Sequence, residues 1–270
     1  MQGASRAAMA AARDSLAAAV ADPSAAAAVG DELFAVTGLL DREPGLRRAL
    51  SDPASAASAR TGLARALLAD RVGPATFGVV TTLVSQRWSA QGDLPDAAEQ
   101  LAVLADCAAA DSEGQLDNLE DELFRFGRII GTEPGLRSAL ADPDAPSQAK
   151  RGLLATLLAG KVTPAALRLI TQAAVHPRGR SLDASLAEYA RLAADWRQRL
   201  IAFVRTAIEL TASERARLVT ALSAIYRRDV HLNVVIDPAV VGGISVQIGD
   251  EFLDGSVGSR LAQLRRRLAA

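Results

Sequence analysis

The sequence predicts a mainly α protein: a duplicated N-terminal helical bundle followed by a small α+β C-terminal domain. Three observations predict it. Half of the chain is apolar, that half is largely Ala and Leu, and aromatics make up only 4%; Ala and Leu are the strongest helix formers. The first two-thirds of the chain repeats itself at an offset of 90 residues. After about residue 200 the apolar spacing changes from helical to alternating, the pattern of half-buried strands.

The repeat is explicit in the residues. Asp31-Glu32-Leu33-Phe34 recurs as Asp121-Glu122-Leu123-Phe124, and Glu43-Pro44-Gly45-Leu46-Arg47 as Glu133-Pro134-Gly135-Leu136-Arg137. Asp52-Pro53, Gly62-Leu63 and Leu67-Leu68 recur as Asp142-Pro143, Gly152-Leu153 and Leu157-Leu158. Between 31–87 and 121–177, 23 of 57 ungapped positions are identical, which marks a duplicated unit.

Each copy reads as a small helical bundle. Leu33, Val36, Leu39 and Leu40 lie at helical spacing. Pro44 suits the first turn of a short helix that Asp52-Pro53 ends. Leu63, Leu67 and Leu68 stripe the next helix. Pro74 opens another, with Phe77, Val80, Leu83 and Val84 on one face. Leu94, Leu101 and Leu104 stripe the last, and Leu167, Ile170, Leu182, Leu186 and Tyr189 continue the second copy. A lone first helix, about 5–20, precedes both. Helices this short bury their stripes only against each other. The expected domains are 1–110 (first helix and first copy), 111–198 (second copy) and 199–270. One continuous helix over about 94–131 would join the bundles, with Gly114 as its strong breaker.

In the last domain, Leu200, Ala202, Val204, Thr206 and Ile208 alternate as a strand. Thr211 with Glu214 forms a capping box, and Leu218, Leu222 and Ile225 are expected to face the core. Val230, Leu232, Val234 and Ile236 alternate, as do Ile244, Val246 and Ile248. Asp254-Gly255 suits a turn, and Ser256 caps a final helix striped by Val257, Leu261, Leu264 and Leu268.

Several function classes fall away. One cysteine, Cys107, and two distant histidines, His176 and His231, make neither a zinc site nor a Cys/His pair. The glycines at 242, 243, 249, 255 and 258 lack the lysine of a phosphate loop and the βαβ context of a dinucleotide site, so no cofactor or nucleotide is expected. Acidic runs such as Glu120-Asp121-Glu122 read as solvated faces rather than catalytic pairs. Residues 1–195 carry 19 basic and 24 acidic groups, and 196–270 carry 11 and 7, so the bundles are net acidic and the tail end mildly basic. No apolar run reaches a bilayer-spanning length and no signal-peptide pattern follows the Ala-rich start, so a cytoplasmic protein is expected.

The C-terminal pattern carries a resemblance. Val230, Leu232, Ile236-Asp237, Val240, Gly242-Gly243-Ile244, Val246-Gln247, Gly249 and Leu253-Asp254-Gly255-Ser256 together resemble the signature of the delta subunit of F-type ATP synthase, the oligomycin-sensitivity-conferring protein family. The stretches His176–Leu182 and Arg87-Trp88-Ser89, with arginine used almost in place of lysine, look like the actinobacterial form. The chain departs from short family members by its extra copy of about ninety residues.

The resemblance implies a non-catalytic stator subunit on the cytoplasmic face of the cell membrane, peripheral and present once per assembly. Its implied partners are the alpha subunits of the catalytic head and the b subunit of the peripheral stalk, with no nucleic acid. In the family an alpha-subunit helix lies between the first and fifth bundle helices, here 5–20 and either 74–87 or 164–176. The first of these is favoured because it accompanies the unique N-terminal helix. Candidate groove residues are then Met9, Ala10, Val79, Val80 and Leu83; their other reading is plain core. Candidates for the stalk contact are Ile236, Gly242, Gly243, Ile244, Val246, Leu261 and Arg265. Gly242-Gly243 suits a positive φ or a tight turn. Arg265–Arg267 suits acids on b or a dipole-matched helix end. The rival function is RNA binding by a helical bundle of the antitermination type, which the net acidic bundle disfavours.

Overall fold

A computed structural model of the chain describes residues 3–197, 200–226, 230–237, 243–248 and 251–254. Contacts divide the chain into two compact units, Met1–Trp196 and Arg197–Ala270.

In the first unit the first copy runs α1 (Ala4–Ala19), α2 (Pro23–Arg42), α3 (Pro44–Ser51), α4 (Ala57–Leu68), α5 (Pro74–Ser85) and α6 (Asp93–Ser112). The second runs α7 (Leu116–Thr132), α8 (Pro134–Ala141), α9 (Ser147–Leu158), α10 (Pro164–Val175) and α11 (Leu182–Arg197). Pro23, Pro44, Pro74, Pro134 and Pro164 each open a helix, where the missing N–H costs nothing.

The copies share their internal fastenings. Glu32 on α2 accepts the Gly73 N–H with both carboxylate oxygens at 3.0 Å, just ahead of α5. Ninety residues on, Glu122 of α7 accepts the Thr163 N–H and hydroxyl at 2.8 Å, just ahead of α10. A carboxylate there meets the free N–H groups and positive end of a helix start. Glu32→Ala and Glu122→Ala are each expected to cost about 1 kcal/mol, the usual loss of a cap. Urea unfolding of the two single variants checks this; an unmoved midpoint in either would contradict a shared fastening.

The first helix is not unique. The buried residues of α1 are Ser5, Ala8, Met9, Ala12 and Leu16. Ninety residues on, Pro95, Ala98, Glu99, Ala102 and Asp106 are buried in α6. So α6 closes the first bundle and stands to the second as α1 stands to the first. Fourteen of its twenty residues are buried, which makes it a largely enclosed helix rather than a surface helix with one apolar stripe. Gly30 lets α2 lie close on it: a Cβ there would sit 3.3 Å from the Ala102 carbonyl oxygen. One apolar core runs from Ala8 to Ala193, so the copies are fused through α6 rather than strung in series. The expected division at 110 and 111 falls within that shared helix.

The expected continuous helix over 94–131 is two helices. Gly114 adopts φ +67°, its N–H bonds the Asp111 carbonyl at 3.0 Å, and the Gln115 N–H bonds the Ala110 carbonyl at 2.7 Å. This is a Schellman C-cap, which needs a left-handed residue and so a glycine.

The second unit holds β1 (Leu200–Thr206), α12 (Ala212–Tyr226), β2 (Val230–Ile236), β3 (Ile244–Ile248) and β4 (Glu251–Asp254). Its sheet order is β2-β1-β3-β4. Strands β1 and β2 are parallel and joined through α12, and the remaining pairs are antiparallel. Val204, Leu222, Val230 and Val246 make its small core. The capping box closes in both directions: Thr211 N–H donates to Glu214 at 2.8 Å and Glu214 N–H to the Thr211 hydroxyl at 3.3 Å. Two expectations are corrected. Ile208 lies beyond the end of β1 and is 73% exposed, and Ile225 is 68% exposed while the core face of α12 continues through Leu222 and Tyr226. The final helix expected from Ser256 lies outside the described residues.

Candidate partner-docking groove

Helices α1 and α5 run side by side. Met9, Val79, Val80 and Leu83 are buried, with exposures of 6%, 0%, 1% and 1%, and Ala10 is exposed. Four of the five candidate groove residues therefore sit in the core, because 79, 80 and 83 fall on the inward face of α5 and residue 9 on that of α1. The open side is a strip of small side chains. Thr82 donates its hydroxyl to Ser15 at 3.1 Å across the two helices. Ala11 lies one turn before Ser15 and Gly78 one turn before Thr82, and a Cβ on Gly78 would meet nothing within 4 Å.

The equivalent place in the second copy is different chemistry. Gly78, Thr61, Gln86 and Leu16 are answered at offset 90 by Arg168, Arg151, His176 and Asp106. Helix α2 stands beside them, and Phe34, Gly38 and Arg42 line one side of a cleft of about 440 Å³ whose other side is α9, α10 and His176. Arg168 bonds the buried Asp106 from Nη2 at 2.6 Å and from Nε at 2.7 Å. Burial pushes the Asp106 carboxyl up to about 7 against the pull of Arg168, and its Oδ2 has no hydrogen-bond partner. Burial, then the charges of Arg151 and Arg42, hold the His176 imidazole below its ordinary value, with Asp41 opposing them. No single residue here signals this change; the comparison of the two copies does.

A polar clamp ties the copies together. Arg178 holds Asp41 of α2 at 2.6 Å and Asp96 of α6 at 2.9 Å, and it also pairs with Glu99. Glu99 is 3% exposed and takes Arg180 and the Tyr189 hydroxyl as well, the latter at 2.7 Å. Burial and the neighbouring Glu99 carboxylate push the Tyr189 phenol well above its usual range. Arg178 is the one non-glycine residue with positive φ among those described, at +51°.

In the second unit Gly243 has φ +81°, the left-handed backbone that a glycine allows before β3. Ile244 is half-buried, Val246 is buried, and Ile236 is 55% exposed at the end of the edge strand β2. Gly242, Leu261 and Arg265 lie outside the described residues. Ile208 and Ile225 join Ile236 as exposed isoleucines; sequence reasoning missed them by assigning one to the strand and the other to the core.

These elements define a mainly helical protein with a small α+β unit. The family model of the ATP synthase delta (OSCP) subunit matches residues 104–268. ATP synthase subunit delta of Streptomyces avermitilis is 48% identical over 269 residues, covering 99% of this chain and 98% of that protein. The protein of the same name from Acidothermus cellulolyticus is 47% identical over 274 residues, covering all of both. The chain belongs to the ATP synthase delta (OSCP) subunit family. A chain in the cryo-EM structure of the Toxoplasma gondii mitochondrial ATP synthase hexamer aligns over 62% of this chain and 95% of its own, at 19% identity and a TM-score of 0.29; the membership rests on the sequence matches.

Proposed function

We propose that this chain is the non-catalytic stator subunit that joins the peripheral stalk of an F-type ATP synthase to its catalytic head. Held there, the head does not turn with the rotor, and proton-driven rotation is coupled to ATP synthesis. The α1/α5 strip of the first copy seats an N-terminal helix of an alpha subunit, and the C-terminal unit meets the b subunit. The observation that carries this reading is the divergence of the copies. Only the first keeps small neutral residues, Gly78, Thr82, Ser15 and Ala11, where a helix can approach closely. At these four positions the second copy has Arg168, Gln172, Ala105 and Leu101, and α2 lies alongside. Met9, Val79, Val80 and Leu83 then act from beneath, fixing the spacing of α1 and α5. In the C-terminal unit Ile236, with Ile208 and Ile225, offers apolar surface for b, and Gly243 shapes the approach to β3. No described helix is long and apolar enough to cross a membrane; the stator reading puts the chain on the cytoplasmic face as a peripheral subunit.

Gly78→Arg installs the residue of the second copy in the first. It is expected to weaken capture of an alpha-subunit N-terminal peptide at least tenfold while leaving the unfolding midpoint in place, because the site is open and glycine is the poorer helix former. Fluorescence anisotropy with a labelled peptide measures it. Undiminished binding would move the alpha contact away from α1 and α5.

A further inference from the structure

In the second copy the face of α10 that corresponds to the open face of α5 borders a cleft with α2 on one side and α9 and α10 on the other, and we propose that this cleft binds a small phosphate-bearing anion. Its walls come from different copies: Arg42 from the end of α2, Arg151 from α9 and Arg168 from α10. Neither Arg42 nor Arg151 has a carboxylate within ion-pair range among the described residues, whereas Arg168 is engaged by Asp106. Asp31 is the one carboxylate that lines the cleft. Guanidinium groups on both walls of a cleft offer forked donors matched to phosphate oxygens.

The fold does not require these charges. At the corresponding positions the first copy has Thr61 for Arg151 and Gly78 for Arg168, and its bundle is as well packed. Burial chiefly, and then Arg151 and Arg42, lower the His176 imidazole against Asp41, which places both guanidinium charges near that wall of the cleft. Its volume, about 440 Å³, is of small-molecule size. Phe34 and Leu167 supply apolar wall for the body of a phosphate ester, and Thr171 and Gln172 supply hydroxyl and amide donors. An anion seated there would join the two copies at a second point, apart from the Arg178 clamp. This inference does not depend on the stator reading.

Isothermal titration of the full chain with ADP and, separately, inorganic phosphate at 150 mM salt tests it. The expected result is saturable binding of ADP at one site, weakened at least tenfold by Arg42→Ala and by Arg151→Ala. Both side chains lie at the exposed rim, so the ligand-free unfolding midpoints should match the parent and show intact folds. Equal binding of ADP and phosphate, with the same loss in both variants, would identify phosphate itself as the ligand and also support the site. Absence of saturable binding by either probe, or binding indifferent to both arginine changes, would overturn it.

Discussion

Arg178→Ala is expected to cost roughly 3 kcal/mol of unfolding free energy, the scale of breaking a buried ion pair from one side. The side chain is 11% exposed and Glu99 is 4% exposed, so neither charge can turn to water when the other is removed. Asp41 and Asp96, at 32% and 53%, are wetter and contribute less. The loss is moderated because Glu99 keeps Arg180 and Tyr189; the left-handed backbone at φ +51° strains arginine and alanine alike and cancels in the comparison. Arg178→Lys keeps the charge without the fork and should recover less than half of the loss. Urea unfolding gives the magnitudes. Limited proteolysis gives the location, because a loosened clamp should open cleavage around residues 176–182 before the rest of the unit unfolds. Equal stability of Arg178→Ala and the parent would mean that the core alone holds the copies together.

Much of this architecture is legible in the sequence. The helices opened by Pro44 and Pro74, and the Thr211–Glu214 capping box, follow from local rules that act within one turn. What was not legible depends on partners distant in sequence. Met9, Val80 and Leu83 are apolar whether they line a groove or fill a core, so periodicity marks the face without saying what covers it. Glu99 occupies the position of Met9 ninety residues earlier, and only the arrival of Arg178, Arg180 and Tyr189 explains a carboxylate there. Gly114 was visible as a breaker, yet its left-handed turn decides between one long helix and two. Ile225 is exposed because the core face of α12 passes from Leu222 to Tyr226, one turn on, and leaves residue 225 on the open side.

Asp106 gives the second large effect. Its unfolded carboxyl ionises near 3.8 and its folded one at about 7. Between these values the native state holds a proton that the unfolded state has lost. By linkage, this group makes stability fall as pH rises through that window and level off above it, with a ceiling of about 4 kcal/mol. The cause is geometric: residues 101–107 of α6 are all buried, Arg168 reaches one carboxylate oxygen of Asp106, and Oδ2 has no partner. Asp106→Asn removes the titration while keeping an acceptor for Arg168. It is expected to match the parent near pH 5 and to exceed it by roughly 2 kcal/mol at pH 8, and Asp106→Leu, the residue of the first copy, should behave likewise if Arg168 turns to solvent. The difference between parent and variant across pH 5–8 is the readout, since it cancels every other titrating group. A difference that stays flat, or that favours the parent at pH 8, would show that the Arg168 pair outweighs burial. Asp106 therefore lowers stability near neutral pH, while its pair with Arg168 fixes that guanidinium in the lining of the cleft.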